Sequence, residues 1–173
     1  MERTSTEKHT LWDGEVYAMA GALPDHNAIT ANVLAELRSV TRRGPCRVFS
    51  SDLKVYVPLR KGFVYADASV VCGPLVFYGE TRDVITNPTV LVEVLSESTE
   101  AFDRGEKATG YRGISTLCDL IFVSQTEQYV EHFARQADGS WLLREYRNDD
   151  EVPIATLGGA LRLAELYLKV FDA

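Results

Sequence analysis

A regular apolar pattern between residues 26 and 41 is the clearest secondary-structure signal in the chain. Its apolar positions are Ile29, Val33, Leu34, Leu37 and Val40. Because they recur at helical spacing, the pattern predicts a helix over 26–41 that buries one face. Asp25 is of a residue type that caps helix starts, and Gly44 follows the predicted end.

Shorter apolar runs predict strands on both sides of this helix. The predicted strands cover residues 47–51, 53–58, 65–72, 90–95, 117–123, 129–135 and 141–146. Asp13-Gly14 predicts a hairpin turn within 11–19, and the tail from 161 to 170 predicts a strand-like edge followed by a helical turn. The order of helix, strands, helix and strands indicates an α/β fold with a mixed sheet.

The run over 90–95 is apolar on both of its alternating faces, apart from Glu93. A strand of this kind is typical of the centre of a sheet that is covered on both sides. A carboxylate at that depth costs free energy unless something compensates it. We therefore expect Glu93 to have a buried basic partner, a proton or a divalent cation.

A predicted helix follows this strand directly. The residues of helix-capping type at its start are Ser96, Ser98 and Thr99. Asp103, Lys107 and Tyr111 follow at steps of four, which places them on one helical face. Gly113 is favoured just past a helix end and marks the predicted stop. This arrangement directs an acid and a base towards the strand that carries Glu93.

Length and composition fit a single domain. The chain has 173 residues, of which 46% are hydrophobic and 25% are charged, values that allow a core of ordinary size. We expect one domain over 13–173 after a flexible lead over 1–12. The formal net charge of −7 disfavours a nucleic-acid partner, but it does not exclude one because net charge says little about a single cleft.

The three cysteines are Cys46, Cys72 and Cys118. None forms a C-x-x-C pair, and an odd, scattered set argues against both a disulfide framework and a zinc site. We therefore expect reduced thiols in a cytoplasmic protein. The start of the chain has no signal-peptide pattern, and no apolar run reaches the length of a membrane span, so no membrane partner is expected.

Asp67 and Glu93 are the candidate catalytic pair, since each lies in a strand-like run with apolar neighbours. Two carboxylates together with phosphate oxygens are what Mg²⁺ prefers. Lys107 could then orient or deprotonate the attacking water, or balance charge in the transition state. A purely structural interpretation explains the same residues: Asp67 caps a turn, and Glu93 forms an ion pair with Lys107.

Two further residues could support such a site. His26 begins the first helix and could reach a cleft, although a solvated helix start explains it equally well. Asp103 could support Lys107 or form a surface ion pair with it. Glycine-rich phosphate loops and a nucleophile elbow are absent from the sequence.

Taken together, several segments resemble the Uma-two family of restriction-endonuclease type, a branch of the PD-(D/E)xK nuclease superfamily. The matching segments are 13–17 with Met19, His26-Asn27, 65–71, 91–96 with Ser98-Thr99, and Asp103 with Lys107, Tyr111 and Gly113. The strand over 120–123 fits the family's next element. The resemblance spans most of the chain, and its central block is the most specific part.

This resemblance implies a restriction-endonuclease-like core, with a mixed central β-sheet flanked by helices. It implies that Asp67 and Glu93 hold Mg²⁺, or Mn²⁺ in its place. In the wider superfamily the lysine lies two residues after the second acid, where this chain has Leu95. The family resembles this chain in carrying the lysine on the following helix, which points to Lys107. Where the family usually has proline before the first acid, this chain has Ala66.

Two functions from different classes follow. The first is a Mg²⁺-dependent endonuclease that hydrolyses phosphodiester bonds in nucleic acid, with DNA as the expected partner and a homo-oligomer, dimer or higher, as the expected assembly. The second is a catalytically silent binding or assembly protein that keeps the nuclease fold. The acidic net charge and the missing strand lysine favour the second, and the paired acids with Lys107 favour the first.

Overall fold

The computed structural model describes residues 8–19, 21–97 and 99–171. The strands are β1 (His9–Trp12), β2 (Glu15–Ala18), β3 (Cys46–Ser50), β4 (Lys54–Val57), β5 (Gly62–Tyr65), β6 (Ala68–Cys72), β7 (Val84–Ile85), β8 (Val90–Leu95), β9 (Asp119–Ser124), β10 (Tyr129–Arg135), β11 (Trp141–Arg147), β12 (Glu151–Ile154) and β13 (Gly159–Arg162). The helices are α1 (Pro24–Thr41), α2 (Glu100–Phe102), α3 (Ala108–Arg112) and α4 (Leu163–Leu166), with a π-helical turn (Asp103–Lys107) between α2 and α3.

The central sheet has the strand order β11-β10-β9-β8-β6-β3. It is mixed, because β8 runs parallel to β9 and antiparallel to β6. All six residues of β8 are buried, as expected for a strand covered on both faces. The predicted α/β fold with a mixed central sheet is therefore confirmed.

Helix α1 covers one face of the central sheet. Its buried side chains Ile29, Val33 and Leu37 pack with Val92 of β8, which matches the predicted helical stripe. The second sheet, of order β2-β1-β5-β4-β7, and α3 cover the other face, where Leu91 lies in a separate core. The two cores bury opposite faces of β8, and this places Glu93 between the central sheet and α3.

The start of the first helix and the extent of one strand differ from the sequence prediction. Helix α1 begins at Pro24 with Leu23 as its N-cap, so Asp25 lies in the first turn instead of capping it. Proline fits this start because the first helical position needs no N–H donor. The predicted strand over 65–72 is divided between two sheets, with β5 ending at Tyr65 and β6 beginning at Ala68.

The predicted flexible lead over 1–12 is wrong in its last part. Residues 1–7 lie outside the described residues, but His9–Trp12 form β1 and Trp12 is buried. The predicted hairpin is present, and its turn uses positive φ angles at Asp13 and Gly14. The strand-like edge predicted from residue 161 overlaps β13, but the sequence analysis predicts no strand at β12, with which β13 forms a hairpin.

Cys46 and Cys72 form a disulfide between β3 and β6, so the expectation of three reduced thiols is wrong for this pair. The two cysteines are directly opposite each other in the antiparallel ladder, a proximity that their distance along the chain concealed. Cys118 is free. In the described part of the chain, no helix is both long and apolar enough to cross a membrane.

Candidate functional site

Glu93 is a carboxylate buried inside the protein, with an exposed fraction of 3%. It shares a face of β8 with Leu91 and Leu95, which pack in the core below α3. Tyr111 Oη donates a hydrogen bond of 2.6 Å to Glu93 Oε1. Lys107 Nζ lies 2.9 Å from the same oxygen. A basic partner, one of the three compensations expected from the sequence, is therefore present beside the buried acid.

The segment after β8 supplies both of these partners. The predicted single helix is interrupted by the π-helical turn, a feature that often marks functional sites. Asp103 and Lys107 bound this turn, and their side chains form an ion pair of 3.1 Å. Thr99 takes the N-cap position without a side-chain capping bond, and Ser98 lies outside the described residues. The helix ends at Arg112, with the predicted Gly113 as its C-cap.

Asp67 lies at the break between β5 and β6 and faces the same site. The ladder between β6 and β8 ends with Ala68 opposite Val92. Asp67 precedes Ala68 and Glu93 follows Val92, so the two acids come at the same end of this ladder, and the negative charge of Asp67 helps to raise the pKa of Glu93. The backbone N–H of Val94 donates a 2.8 Å hydrogen bond to Asp67 Oδ2. Register thus brings together two acids that are far apart in sequence.

His26 joins this cluster from the first turn of α1. Its Nε2 lies 3.4 Å from Asp67 Oδ2, and both side chains are largely buried. The hydrogen bond with Asp67 raises the pKa of His26 above its ordinary value, although burial opposes the change. A solvated helix start is therefore not what the structure shows. All five predicted residues, Asp67, Glu93, Lys107, His26 and Asp103, lie in one cluster.

Burial controls the charges of this cluster. It raises the pKa of Glu93 to about 8, because the positive charge of Lys107 offsets desolvation only in part. Burial alone would lower the pKa of Lys107, but Glu93 and Asp103 more than reverse this, and the pKa lies above its ordinary value. Lys107 is accordingly a charged donor at neutral pH. Asp67, Glu93 and Asp103 thus place three carboxyl groups around this one ammonium group.

The donor set fits a hard divalent cation. The contacts described above converge on one oxygen of each acid, Glu93 Oε1 and Asp67 Oδ2, which leaves Glu93 Oε2 and Asp67 Oδ1 as the oxygens to offer to a ligand. In that part of the chain, no group of three or more His, Cys, Asp or Glu residues is arranged to hold a metal. Two carboxylates with water and phosphate oxygens are a common Mg²⁺ environment, whereas a dedicated all-protein cage is not.

Sequence reasoning assigned no role to the Tyr111 hydroxyl. The spacing of four from Lys107 placed it on the correct helical face, but the hydrogen bond to Glu93 depends on how α3 packs against β8. The backbone N–H of Val94 was also missed, because a backbone donor leaves no signal in the sequence.

The sequence of this chain is similar to a family of known proteins. A family model described as "Uma2: Putative restriction endonuclease" matches residues 1–165. The uncharacterized protein slr1290 of Synechocystis sp. is 32% identical over 166 residues, which cover 96% of this chain and 86% of the relative. The uncharacterized protein sll1609 of the same organism is 30% identical over 149 residues, covering 86% of this chain and 84% of the relative.

A solved structure shares the fold. It is a crystal structure from Anabaena variabilis, described as "a putative nuclease belonging to DUF820", and it matches with a TM-score of 0.74. The match covers 94% of this chain and 91% of the other, at 16% sequence identity. Since the identity is low, this likeness concerns the architecture, and it agrees with the mixed sheet flanked by helices.

Proposed function

This chain belongs to the Uma2 family, and from that membership and the geometry of the site we propose that it is a Mg²⁺-dependent endonuclease that hydrolyses phosphodiester bonds in DNA. One observation carries the proposal. Asp67 and Glu93 come at the same end of the β6–β8 ladder, one residue beyond the pair of Ala68 and Val92, and the contacts of each acid converge on a single carboxylate oxygen. Lys107 lies beside them, with its ammonium group fixed by two acids.

In this proposal Asp67 and Glu93 hold the cation. Bound there, Mg²⁺ or Mn²⁺ would stabilise negative charge on the phosphoryl oxygens and lower the pKa of a water ligand. The Val94 N–H and His26 both contact Asp67 Oδ2, so they limit the carboxylate to one orientation. An oriented carboxylate loses less entropy when it binds a ligand, which favours tight binding.

Lys107 provides positive charge where negative charge develops. Hydrolysis adds a water oxygen to phosphorus, and charge builds on the phosphoryl oxygens before the leaving oxygen departs. A charged donor placed in advance stabilises that state without reorganising. Because its pKa is raised by Glu93 and Asp103, Lys107 acts as this donor and not as a base that removes the proton from water.

The location of the lysine also has a structural reason. The superfamily's strand position is occupied by Leu95, which is buried in the core below α3. A lysine there would lose that packing. Lys107 reaches Glu93 from the adjacent π-helical turn instead, at 2.9 Å. The charge is thus supplied from the helix while the strand face keeps its core contacts.

A cleavage assay tests the proposal. Supercoiled plasmid, linear duplex DNA and RNA of the same sequence are incubated with Mg²⁺ or Mn²⁺ and the wild type, Asp67→Asn, Glu93→Gln or Lys107→Met. We expect wild-type cleavage of DNA and a loss of about 100-fold or more in each variant, the size typical of removing one electrostatic catalytic group.

Lys54→Met is the matched control. Lys54 also forms a 2.9 Å ion pair, with Asp83, and its side chain is 11% exposed, compared with 12% for Lys107. Cleavage should survive this change, since the pair lies at β4 outside the site. Equal losses in both lysine variants would show that the assay reports stability. If the wild type neither cleaves any substrate nor binds a divalent cation, the catalytically silent alternative replaces the proposal.

A further inference from the structure

Tyr111 is buried in this site, but it has no direct role in the proposed reaction. Its side chain is fully buried, and its hydroxyl donates to Glu93 Oε1 at 2.6 Å. Lys107 Nζ approaches that same oxygen at 2.9 Å. Two donors therefore converge on one oxygen of the carboxylate, and the contacts of both are with Oε1.

We propose that Tyr111 is a positioning residue that holds the Glu93 carboxylate so that Oε2 is the oxygen that takes the divalent cation. This inference rests on the proposed function, because it concerns the same cation site. A carboxylate with one oxygen held by two donors cannot rotate freely, so its other oxygen is presented in one direction. Groups that orient a metal ligand in this way tune affinity without touching the metal.

The position of Tyr111 is fixed from its other side by the second sheet. Gly110, its neighbour, lies so close to that sheet that an added Cβ would stand 2.7 Å from Trp12 and 2.9 Å from Val57. Helix α3 can approach this closely only because residue 110 has no side chain. The close contact seats the Tyr111 ring in the core, and its hydroxyl then reaches β8.

Packing alone does not require the hydroxyl. A phenylalanine would fill the same core volume, whereas a buried tyrosine must find a hydrogen-bond partner for its O–H group. Glu93 is that partner, and the bond points at a group that the proposed function assigns to the cation. A merely structural role predicts that removing the hydroxyl changes folding stability. A positioning role predicts that the removal changes cation affinity.

The test measures Mn²⁺ binding to chelator-treated protein by electron paramagnetic resonance, without substrate. We expect Tyr111→Phe to raise the Kd for Mn²⁺ about 10- to 100-fold, the range seen when such orienting groups are removed. Cleavage by this variant should recover to within a few-fold of wild type at saturating Mn²⁺. Tyr167→Phe is the matched control, since Tyr167 is also buried and its hydroxyl donates to the backbone carbonyl of Ser124 at 2.9 Å, in the core on the other face of β8.

A second pair of variants separates the hydroxyl from the volume of the side chain. Tyr111 is replaced by p-aminophenylalanine, which keeps a donor, and by p-methylphenylalanine, which has similar size and no donor. We expect the first to keep wild-type Mn²⁺ affinity and the second to lose it. This comparison serves even if Tyr111→Phe does not fold.

The outcomes are distinct. Mn²⁺ affinities within twofold of wild type in both donor-free variants would overturn the role of Tyr111 and leave the proposed function intact. A wild type that binds no Mn²⁺ would overturn the cation site, and this inference with it. A loss of affinity in Tyr167→Phe equal to that in Tyr111→Phe would assign both effects to general destabilisation and refute the positioning role.

Discussion

The burial of Glu93 makes the stability of this protein depend on pH in an unusual direction. Burial raises the pKa of Glu93 from its ordinary value of 4.5 to about 8 in the folded protein. Between these values the unfolded chain has released the proton and the folded chain has kept it. Unfolding then becomes more favourable as pH rises, by about 1.4 kcal/mol for each pH unit.

The sign and size follow from this linkage. The stabilisation is complete below pH 4.5, declines as pH rises and is lost above about 8, for a total of about 5 kcal/mol. Lys107 does not alter this window, because its pKa is raised and it stays charged throughout. Between pH 5.5 and 8.5 the Glu93 contribution should fall by about 3 kcal/mol.

The comparison of wild type with Glu93→Gln isolates this contribution. Glutamine has nearly the same shape and keeps an oxygen that can accept from Tyr111 and Lys107, but it cannot ionise. Urea unfolding, followed by far-ultraviolet circular dichroism in the presence of a chelator, gives the free energy of unfolding at each pH. Subtracting the variant's values removes the titration of all other groups that the substitution leaves undisturbed.

We expect the wild type to lose about 3 kcal/mol relative to Glu93→Gln from pH 5.5 to 8.5. Two parallel stability curves over this range would refute the reasoning. They would mean that Glu93 is already ionised at pH 5.5 in the folded protein, and that the attraction of Lys107 at 2.9 Å outweighs the cost of burial.

Two further predictions concern packing and covalent structure. Gly110→Ala should lower the free energy of unfolding by about 1–3 kcal/mol, because the new Cβ would overlap the buried Trp12. Gly113→Ala should change the free energy of unfolding by less than about 0.5 kcal/mol, because the new Cβ meets the side chain of Leu59, which is 64% exposed and can move aside. Urea titrations measure both, and equal costs would contradict this packing. For the disulfide between β3 and β6, thiol titration of denatured, unreduced protein should find Cys118 alone. Reduction of this bond should lower the free energy of unfolding by about 3–4 kcal/mol. Three titratable thiols before reduction would show that the bond is absent.

Local pattern was sufficient for the elements whose burial is periodic. The apolar stripe predicted α1, and the two apolar faces predicted β8, because the spacing of apolar residues shows which side of an element is buried. The same pattern failed over residues 65–72. A run that reads as one strand is divided between two sheets there, because strand propensity does not specify the neighbour with which each residue pairs.

The candidate site likewise contains one contact that local spacing predicted and one that depends on the tertiary structure. Asp103 and Lys107 are four residues apart, so helical geometry alone predicted that their side chains would meet, and they form an ion pair of 3.1 Å. Strand register brings Asp67 and Glu93 to the same end of the β6–β8 ladder. Their strand-like runs and apolar neighbours mark both as candidates, but no local signal encodes the register that brings them together.

The sequence by itself determined the helix over α1, the central strand with its single buried acid, and the helical face that carries Lys107, because all three depend on spacings of a few residues. Only the tertiary structure decided which atoms of that acid are engaged. The packing of α3 against the second sheet directs the Tyr111 hydroxyl to Glu93 Oε1, and the register of β6 with β8 places Asp67 beside it. Contacts of this kind join residues far apart in the chain, and they are fixed by how whole elements pack.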